Sequence, residues 1–393
     1  MARLCVQRGH QAVVFGNHGG LLSSRETSHD GVEYVFTPTG RDRLLNRMHG
    51  LMVKVKTGPR ATPGFCDSWH HRGYAEAAAC RARSAQCDIV HVMNYSQFVP
   101  VVRKYHPQAR IALHMQCEWL TQLNPALIKP RIDQADLIIG CSEYITRKII
   151  DKFPEYAGRC VTVPNAADAV AGGGQTHSPG KAVIFVGRLS PEKGVHDLVR
   201  AFHTVLERFP DARLHLVGGA GSAPLEFLVG LSDEPHVTAL RRFYGTSPSA
   251  GKDPYLEVLE REAGSELGTR ILFDGRVNHD QLESHYGNSC LLVNPSLSES
   301  FGISLVEAMM RGIPVVATRV GGMQFTVAHG QTGFLVEPAD PPALAAAMCE
   351  MLANPERARR MGAAGKERAT DYFSWEKTAN TLLNCMRRTA ESA

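Results

Sequence analysis

Two glutamates, Glu299 and Glu307, flank a short turn with seven residues between them. An apolar run at residues 291–293 precedes the turn, and a helical pattern follows it. The N–H groups at the start of a helix attract anions, whereas carboxylates repel phosphate and accept hydrogen bonds from hydroxyl groups. The pattern therefore predicts a ligand that carries both phosphate and hydroxyl groups, such as a nucleotide-sugar.

Separate roles are expected for the residues within this turn. The side chain of Phe301 is expected to pack, and Ser304 can add its hydroxyl to the site. The N–H groups expected to face a phosphate belong to Gly302, Ile303, Ser304 and Leu305. In the alternative interpretation, the two glutamates are surface carboxylates that the helix dipole favours. Glu307 lies in an apolar stretch, however, where a buried carboxylate needs donors such as ribose hydroxyls.

A basic loop at residues 187–194 follows the first apolar strand of the second half and begins with Gly187. It contains Arg188 and Lys193 and precedes a helix predicted to begin near Val195. Arginine offers a planar fork and lysine a point charge, and both suit a pyrophosphate. Each charged hydrogen bond contributes about 1.5–3 kcal/mol. The alternative interpretation is a solvated loop.

Histidines of the first half give a weaker signal. His114 ends a predicted strand and fits a functional and a structural role equally well. His91 and His215 lie within strands and are interpreted as core or sheet-face residues. Glu118 and Trp119 either line an acceptor pocket or begin a helix. Because no His/Cys cluster has metal-ligand spacing, neither a metal nor a cofactor is expected.

Composition excludes several classes of protein. The net charge of +4 is too small to indicate nucleic-acid binding. No apolar run approaches the roughly 18 residues of a membrane span, and no signal peptide is recognised. Ten cysteines without a CxxC pair favour reduced thiols and a cytoplasmic location. One stretch of the first half is basic, with Arg41, Arg43, Arg47, Lys54, Lys56 and Arg60. It is interpreted either as a solvated face or as a contact with an anionic acceptor or the inner membrane surface.

Apolar runs alternate with helical patterns in both halves, which predicts an α/β protein with two doubly wound, Rossmann-like domains facing a central cleft. The predicted domains are residues 1–172 with a terminal helix at 373–393, and residues 180–372. A linker composition marks residues 171–180, and an insertion occupies residues 222–254. The chain opens in a helix that ends at Gly9, so the usual first strand of the N-terminal domain is missing from the pattern. Its neighbours are then expected to have unpaired backbone groups.

The second half resembles the retaining glycosyltransferases of family 4, which have the GT-B fold. The matching segments are residues 185–194, 273–277, 294–307, 312–317, 321–322 and 330–336. The likeness is looser in the first half, at residues 8–10, 88–91, 114 and 163–165, and residues 165–168 depart from the usual pattern. The insertion resembles that of spore-coat and other bacterial cell-surface members.

This resemblance implies a role for each matched residue. Arg188 and Lys193 would bind the donor diphosphate, Glu307 the ribose, Glu299 the transferred sugar, and the loop near Val277 the base. His114 would reach the reaction centre from the other domain. The implied activity is metal-independent, front-face transfer from a UDP-linked rather than GDP-linked donor to a glycan, a lipid-linked sugar or a small molecule. A donor-binding pseudo-enzyme and another GT-B enzyme, such as an epimerase, remain alternatives.

Overall fold

The computed structural model describes residues 1–18, 23–40, 42–44, 47, 63–168, 180–244 and 253–391. Two compact units make up the chain. The first comprises residues 1–163 and 375–393, and the second comprises residues 164–374. The predicted linker up to residue 179 lies outside the described residues. So do Arg41, Lys54, Lys56 and Arg60 of the basic stretch and residues 245–252 of the insertion, so the membrane contact stays a prediction.

The first unit contains two sheets, whereas the sequence predicts one. In the first sheet, β3 lies between a parallel and an antiparallel neighbour; its strands are β1 (Ala12–His18), β2 (Arg25–His29) and β3 (Val32–Pro38). The second sheet is parallel, and its strands follow one another in the order β4 (Ile89–Met93), β5 (Arg110–Met115), β6 (Leu137–Gly140) and β7 (Cys160–Thr162).

Two local features explain the difference. Strand β2 has only exposed side chains, so it carries no apolar signal. It reaches β3 through Asp30 and Gly31, whose φ angles of 50° and 74° suit a tight hairpin turn. Among the described strands, β1 and β4 each pair on one side only. Their side chains stay partly open, with Val14 37% and Met93 46% exposed. No described strand joins the two sheets.

Helices flank these sheets: Ala2–Gln7, Arg72–Ser84, Phe98–Tyr105, Trp119–Gln122, Pro125–Ile132, Glu143–Lys152 and Trp375–Glu391. The predicted opening helix is present, and Gly9 follows it with a φ of 84°. The terminal helix belongs to the first unit, where Leu382 and Met386 pack with Ala112 and Ile139 of the parallel sheet. Residues at opposite ends of the sequence thus share one core.

The second unit has one parallel sheet with the order β10-β9-β8-β11-β12-β13. Its strands are β8 (Ala182–Val186), β9 (Arg213–Val217), β10 (Ile271–Gly275), β11 (Leu291–Asn294), β12 (Val315–Thr318) and β13 (Gly333–Val336). All six coincide, within two residues at each boundary, with the apolar runs that the sequence predicts as strands at residues 182–186, 213–217, 270–273, 291–293, 313–317 and 333–336. Strands covered on both faces read as continuous apolar runs, which makes them easy to find.

The helices of this unit are Val195–Arg208, Pro235–Thr238, Pro254–Ala263, His279–Gly287, Ile303–Met310, Met323–Thr326, Pro341–Ala353 and Pro355–Phe373. Val199 and Phe202 of the first of these helices, together with Met348, pack on Phe185 and Val293 of the sheet. All five side chains are 0–1% exposed. This closed core fixes the loops that follow β8 and β11.

None of the ten cysteines is in a disulfide bond. Four of the ten span the range of environments: Cys66 and Cys141 are buried, Cys5 is partly buried, and Cys80 is exposed. In the part of the chain that the structure describes, no helix has the length and apolar character needed to cross a bilayer.

Candidate functional site

The sheet of the second unit has a switch point between β8 and β11. From β8 the chain winds outward through β9 and β10 on one side, and from β11 it winds through β12 and β13 on the other. The loops after β8 and β11 therefore diverge at the carboxyl ends of adjacent strands. Open α/β sheets bind ligands in the crevice formed at such a point. The two loops predicted to bind the donor are the ones found there.

Close backbone contact joins these two loops. The N–H of Leu297 donates to the carbonyl of Glu192 at 2.8 Å. Gly194 has a φ of 64°, and a Cβ at that position would lie 2.1 Å from the carbonyl oxygen of Pro295. No side chain fits that space, so only glycine allows the approach. The contact fixes Lys193 beside the loop after β11.

Lys193 and Glu299 form an ion pair across the two loops. Lys193 Nζ lies 2.6 Å from Glu299 Oε2, and the side chains are 23% and 16% exposed. Burial alone would raise the pKa of Glu299. The charge and hydrogen bond of Lys193, with the N–H groups of Phe301 and Gly302, outweigh that effect and hold the pKa below its ordinary value. Glu299 therefore stays ionised at neutral pH.

The turn after Glu299 leads directly into the helix Ile303–Met310. Gly302 has a φ of 85°, as a left-handed turn requires, and its N–H is directed at Glu299 rather than left open for a phosphate. Phe301 and Leu305 are buried, in keeping with a packing role, and Ile303 is 47% exposed. Ser304 Oγ accepts a hydrogen bond from Asn294 Nδ2 at 3.4 Å. The start of this eight-residue helix thus lies beside the ion pair.

Arg188 has partners within its own loop. Its Nη2 donates to Glu192 Oε1 at 2.5 Å and its Nε donates to Ser190 Oγ at 3.2 Å. Ser190 Oγ donates to the same Glu192 oxygen at 2.6 Å. Glu192 is 2% exposed, and within the described residues its Oε2 is buried with no hydrogen-bond partner. Sequence reasoning missed Glu192, although its place in the basic loop was a usable signal.

Glu307 is held by a tyrosine that the sequence analysis also missed. Tyr286 Oη donates to Glu307 Oε2 at 2.7 Å. Burial, followed by the charge of Glu307, raises the pKa of Tyr286 well above its ordinary value, so the phenol remains a donor. Arg311 Nη1 also donates to the Glu307 carbonyl at 2.5 Å. Nothing in the local sequence of residue 286 pointed to this pairing.

The remaining predicted donor residues lie in neighbouring loops. Gly187 follows β8, and its N–H donates to the carbonyl of Val217 at 3.0 Å. Val277 lies in the loop after β10 and is half-buried. No contact among the described residues joins either of them directly to the Lys193–Glu299 pair. Their roles stay predictions.

His114 belongs to the first unit and has partners on both ring nitrogens. Its Nδ1 lies 3.0 Å from His91 Nε2, and its Nε2 lies 3.1 Å from Gln116 Nε2. Burial, followed by the neighbouring charge of His91, lowers the pKa of His114 to about 3, so the ring is neutral. The part of His114 in catalysis stays a prediction.

The donor-side residues of the second unit can bind a ligand of mixed chemistry. Lys193 and Arg188 supply cations, and the side-chain oxygens of Glu299 and Glu307 can accept hydrogen bonds from hydroxyl groups. Such charged hydrogen bonds are stronger than neutral ones. Within the described residues, one group has metal-ligating geometry, namely His215, Asp274 and His285, and none of the three belongs to this set. The sequence-based expectation of no metal cluster did not foresee that group.

Comparison with known proteins shows which family the chain resembles. Residues 175–368 match the model of the family described as Glycosyl transferases group 1. The D-inositol 3-phosphate glycosyltransferase of Corynebacterium urealyticum is 29% identical over 65% of this chain and 57% of its own length. Spore coat protein SA of Bacillus subtilis is 24% identical over 79% of this chain and 81% of its own. The chain spans about half the length of several of the curated relatives that it matches.

Solved structures show the same fold. Sucrose-phosphate synthase from Thermosynechococcus elongatus aligns with a TM-score of 0.71 at 23% identity, covering 100% of this chain and 92% of its own. Anabaena HepE, solved in complex with UDP-glucose, aligns with a TM-score of 0.62 at 17% identity, covering 98% and 99%. The predicted GT-B fold is confirmed by these neighbours. Residues 175–368, most of which belong to the second unit, are thus a group 1 glycosyl transferase domain.

Proposed function

We propose that this protein is a retaining glycosyltransferase that moves a sugar from a nucleotide-sugar, UDP-linked rather than GDP-linked, to an acceptor. The observation that carries the proposal is the Lys193–Glu299 pair at the switch point of the second unit. It places a cation for a diphosphate directly beside a carboxylate for sugar hydroxyls. Anabaena HepE, whose fold is similar, was solved in complex with UDP-glucose, and this favours UDP as the nucleotide of the donor.

The proposed reaction needs no cofactor and no separate base. The acceptor oxygen bonds to the anomeric carbon on the face from which the diphosphate departs, and the bond between that carbon and the phosphate oxygen breaks. The acceptor proton passes to the departing phosphate oxygen, so atoms and charges balance. Lys193 stabilises the negative charge that develops on the diphosphate, which is where fixed charges lower a barrier most.

A panel of UDP- and GDP-sugars, with nucleoside diphosphate release as the readout, tests this proposal. We expect release from one UDP-sugar and a fall of about 100-fold or more in Lys193→Ala, the size of effect seen when one preorganised donor is removed. Lys181→Ala is the matched control. Lys181 belongs to the same unit and pairs with Asp211 on the surface at 2.7–2.8 Å. Unchanged release in Lys193→Ala contradicts the proposal.

Other results of the same panel separate the alternatives. Thermal stabilisation by a nucleotide-sugar with no release of nucleoside diphosphate, either alone or with the acceptors screened below, indicates a donor-binding protein without catalysis. A changed sugar configuration with the nucleotide still attached, detected by mass spectrometry coupled to chromatography, indicates an epimerase. Acceptors are then screened with the donor that is consumed, covering glycans, lipid-linked sugars and small alcohols.

A further inference from the structure

Two histidines and an aspartate come together in the second unit, outside the proposed donor residues. They are His215 on β9, Asp274 on β10, and His285 on the helix His279–Gly287. Each offers one ligand atom, and these atoms all lie within 4.8 Å of one another. All three residues are partly buried. We propose that His215, Asp274 and His285 form a binding site for a divalent transition-metal ion of the zinc type.

The ligand set has the right chemistry for such an ion. Neutral imidazoles and a carboxylate bind zinc and its first-row neighbours, whereas magnesium and calcium prefer oxygen alone. Zinc bonds of about 2.0–2.2 Å place tetrahedral ligand atoms about 3.3 Å apart. His215 Nδ1 and Asp274 Oδ2 already lie 3.0 Å apart. The other ligand atoms, which lie up to 4.8 Å apart, would have to approach one another to complete the set.

Asp274 lies at an irregularity in the pairing of β9 with β10. Phe273 pairs with Leu216 and Gly275 pairs with Val217, so Asp274 is the extra residue of an irregularity in the β9–β10 ladder. A bulge of this kind redirects a side chain and is common beside functional sites. Here it accompanies the contact between Asp274 and His215. Among the described strands, β10 has a sheet neighbour on one side only, and such an edge strand tolerates the irregularity.

An ordinary histidine–aspartate hydrogen bond explains only two members of the cluster. His215 and His285 have ring centroids 5.9 Å apart, with the ring planes inclined at 60°. Among the described residues, the His285 imidazole contacts that ring and makes no hydrogen bond. The side chains of His215 and Asp274 are 24% and 21% exposed, so an ion can enter from solvent. A bound ion would give all three side chains one common partner.

Three protein ligands leave at least one coordination position for water. The ion would also link two strands to the helix that follows them. Because the ion binds the folded state, it raises the unfolding temperature with increasing concentration. The proposal does not depend on the transferase activity, since its readouts are metal content, spectrum and thermal stability.

The test uses the full chain, purified under reducing conditions and freed of metal by a chelator. We expect one equivalent of Zn²⁺ to bind, measured by calorimetry and by elemental analysis after gel filtration. We also expect the unfolding temperature to rise by about 5 °C at a free Zn²⁺ concentration near 100 times the dissociation constant. No zinc binding by the wild-type chain overturns the proposal.

Two variants and a matched control assign the ligands. His285→Ala and Asp274→Asn are each expected to weaken zinc binding at least tenfold, while His203→Ala is expected to leave it unchanged. His203 is a half-buried histidine of the same unit that bonds to the Glu262 carbonyl at 2.8 Å. Equal zinc binding by the wild type and all three variants overturns the proposal, because the zinc then binds elsewhere.

The ten cysteines are the main competitors for zinc, and a spectrum distinguishes them. Wild-type protein titrated with Co²⁺ is expected to show the visible bands of nitrogen and oxygen ligation. An intense near-ultraviolet charge-transfer band indicates thiolate ligands and overturns the proposal. This measurement needs no substitution, so it remains decisive even where a variant fails to fold.

Discussion

The two units differ in how their sheets are completed. The second unit has six parallel strands in one sheet, and the side chains of Val293 and Val316 on its central strands are fully buried. The described part of the first unit has a three-stranded and a four-stranded sheet, and Val14 and Met93 on the end strands β1 and β4 are 37% and 46% exposed. Both units use similar α/β elements, so the difference lies in strand pairing.

This difference teaches where a precise site can form. A switch point requires two adjacent strands whose connections diverge, and only a continuous sheet holds both loops in place. The second unit meets that condition, and the Lys193–Glu299 pair lies at that point. In the first unit, two neutral histidines pair within the four-stranded sheet, where His114 is buried and His91 is partly buried. Four properties can be tested in the two units, namely rigid backbone contact, the titration of buried histidines, core packing and hydrogen bonding.

Gly194→Ala is expected to have the largest effect on stability. The new Cβ would lie 2.1 Å from a backbone oxygen at a positive φ, and neither can move without breaking the loop contact. We expect a loss of about 3 kcal/mol or more in the free energy of unfolding, measured with urea. Gly158→Ala in the first unit is the control, since nothing lies within 4 Å of its Cβ. Similar losses for both would show that the loop contact is not rigid.

Acidification should weaken the chain through the His91–His114 pair. Burial lowers the pKa of His91 to about 4 and that of His114 to about 3, against about 6.5 in the unfolded chain. Below pH 6.5 the unfolded state therefore binds more protons, and stability falls as the pH drops towards 4. Each histidine contributes a slope of up to about 1.4 kcal/mol per pH unit.

His91→Gln tests this slope because glutamine does not titrate. We expect urea unfolding of the variant at pH 7, 6 and 5 to show a shallower decline than the wild type. His29→Gln is the control, since the His29 side chain is 68% exposed. His196 in the second unit also has its pKa lowered to about 3, mainly by burial, so part of the wild-type slope will persist. Identical slopes in His91→Gln and wild type would exclude a contribution from the pair.

Much of this fold could be predicted because buried parallel strands read as apolar runs. The strands β8, β9 and β13 match the predicted runs residue for residue. Strand β2 could not be found in that way, because its five side chains are all exposed. The Asp30–Gly31 pair was the available signal for its hairpin. The division of the first unit into two sheets depends on pairing between distant strands, which local patterns do not encode.

The candidate site likewise has a part that could be predicted from local sequence and a part that could not. The two loops at the switch point were predictable because each combines glycine with charged residues at short spacing, namely two cations in the loop after β8 and a carboxylate in the loop after β11. The partners were not, because the fold brings Tyr286 to Glu307 and Leu297 to Glu192 from separate elements. The set of His215, Asp274 and His285 was even harder to predict from the sequence, since its members lie on two strands and a helix. Metal-ligand spacing within one segment cannot reveal such a group.

Substitutions on β11 of the second unit and β1 of the first unit should show directly how deeply each strand is buried. Val293→Ala removes two carbons from a fully buried strand, and we expect a loss of about 2.5 kcal/mol from transfer and cavity terms. Val14→Ala removes the same atoms from a strand where the side chain is 37% exposed, and we expect a loss below about 1 kcal/mol. Thermal and urea unfolding measure both variants. Equal losses would mean that the edge of β1 is covered in solution.

The smallest expected effect compares two tyrosine hydrogen bonds. Tyr286 donates to the Glu307 carboxylate at 2.7 Å, and Tyr74 in the first unit donates to the Phe15 carbonyl at 3.1 Å. Bonds to charged acceptors contribute more than bonds to neutral ones, so we expect losses of about 2 kcal/mol for Tyr286→Phe and about 1 kcal/mol for Tyr74→Phe.

Donor affinity separates these two variants further. Tyr286→Phe should also weaken binding of a nucleotide-sugar, because it frees Glu307 to rotate away from the position proposed for the ribose. Tyr74→Phe should leave that binding unchanged. Calorimetric titration with the donor found in the panel provides the measurement. Unchanged affinity in Tyr286→Phe would remove Glu307 from the proposed ribose contact while leaving the Lys193–Glu299 pair as the remaining basis for donor binding.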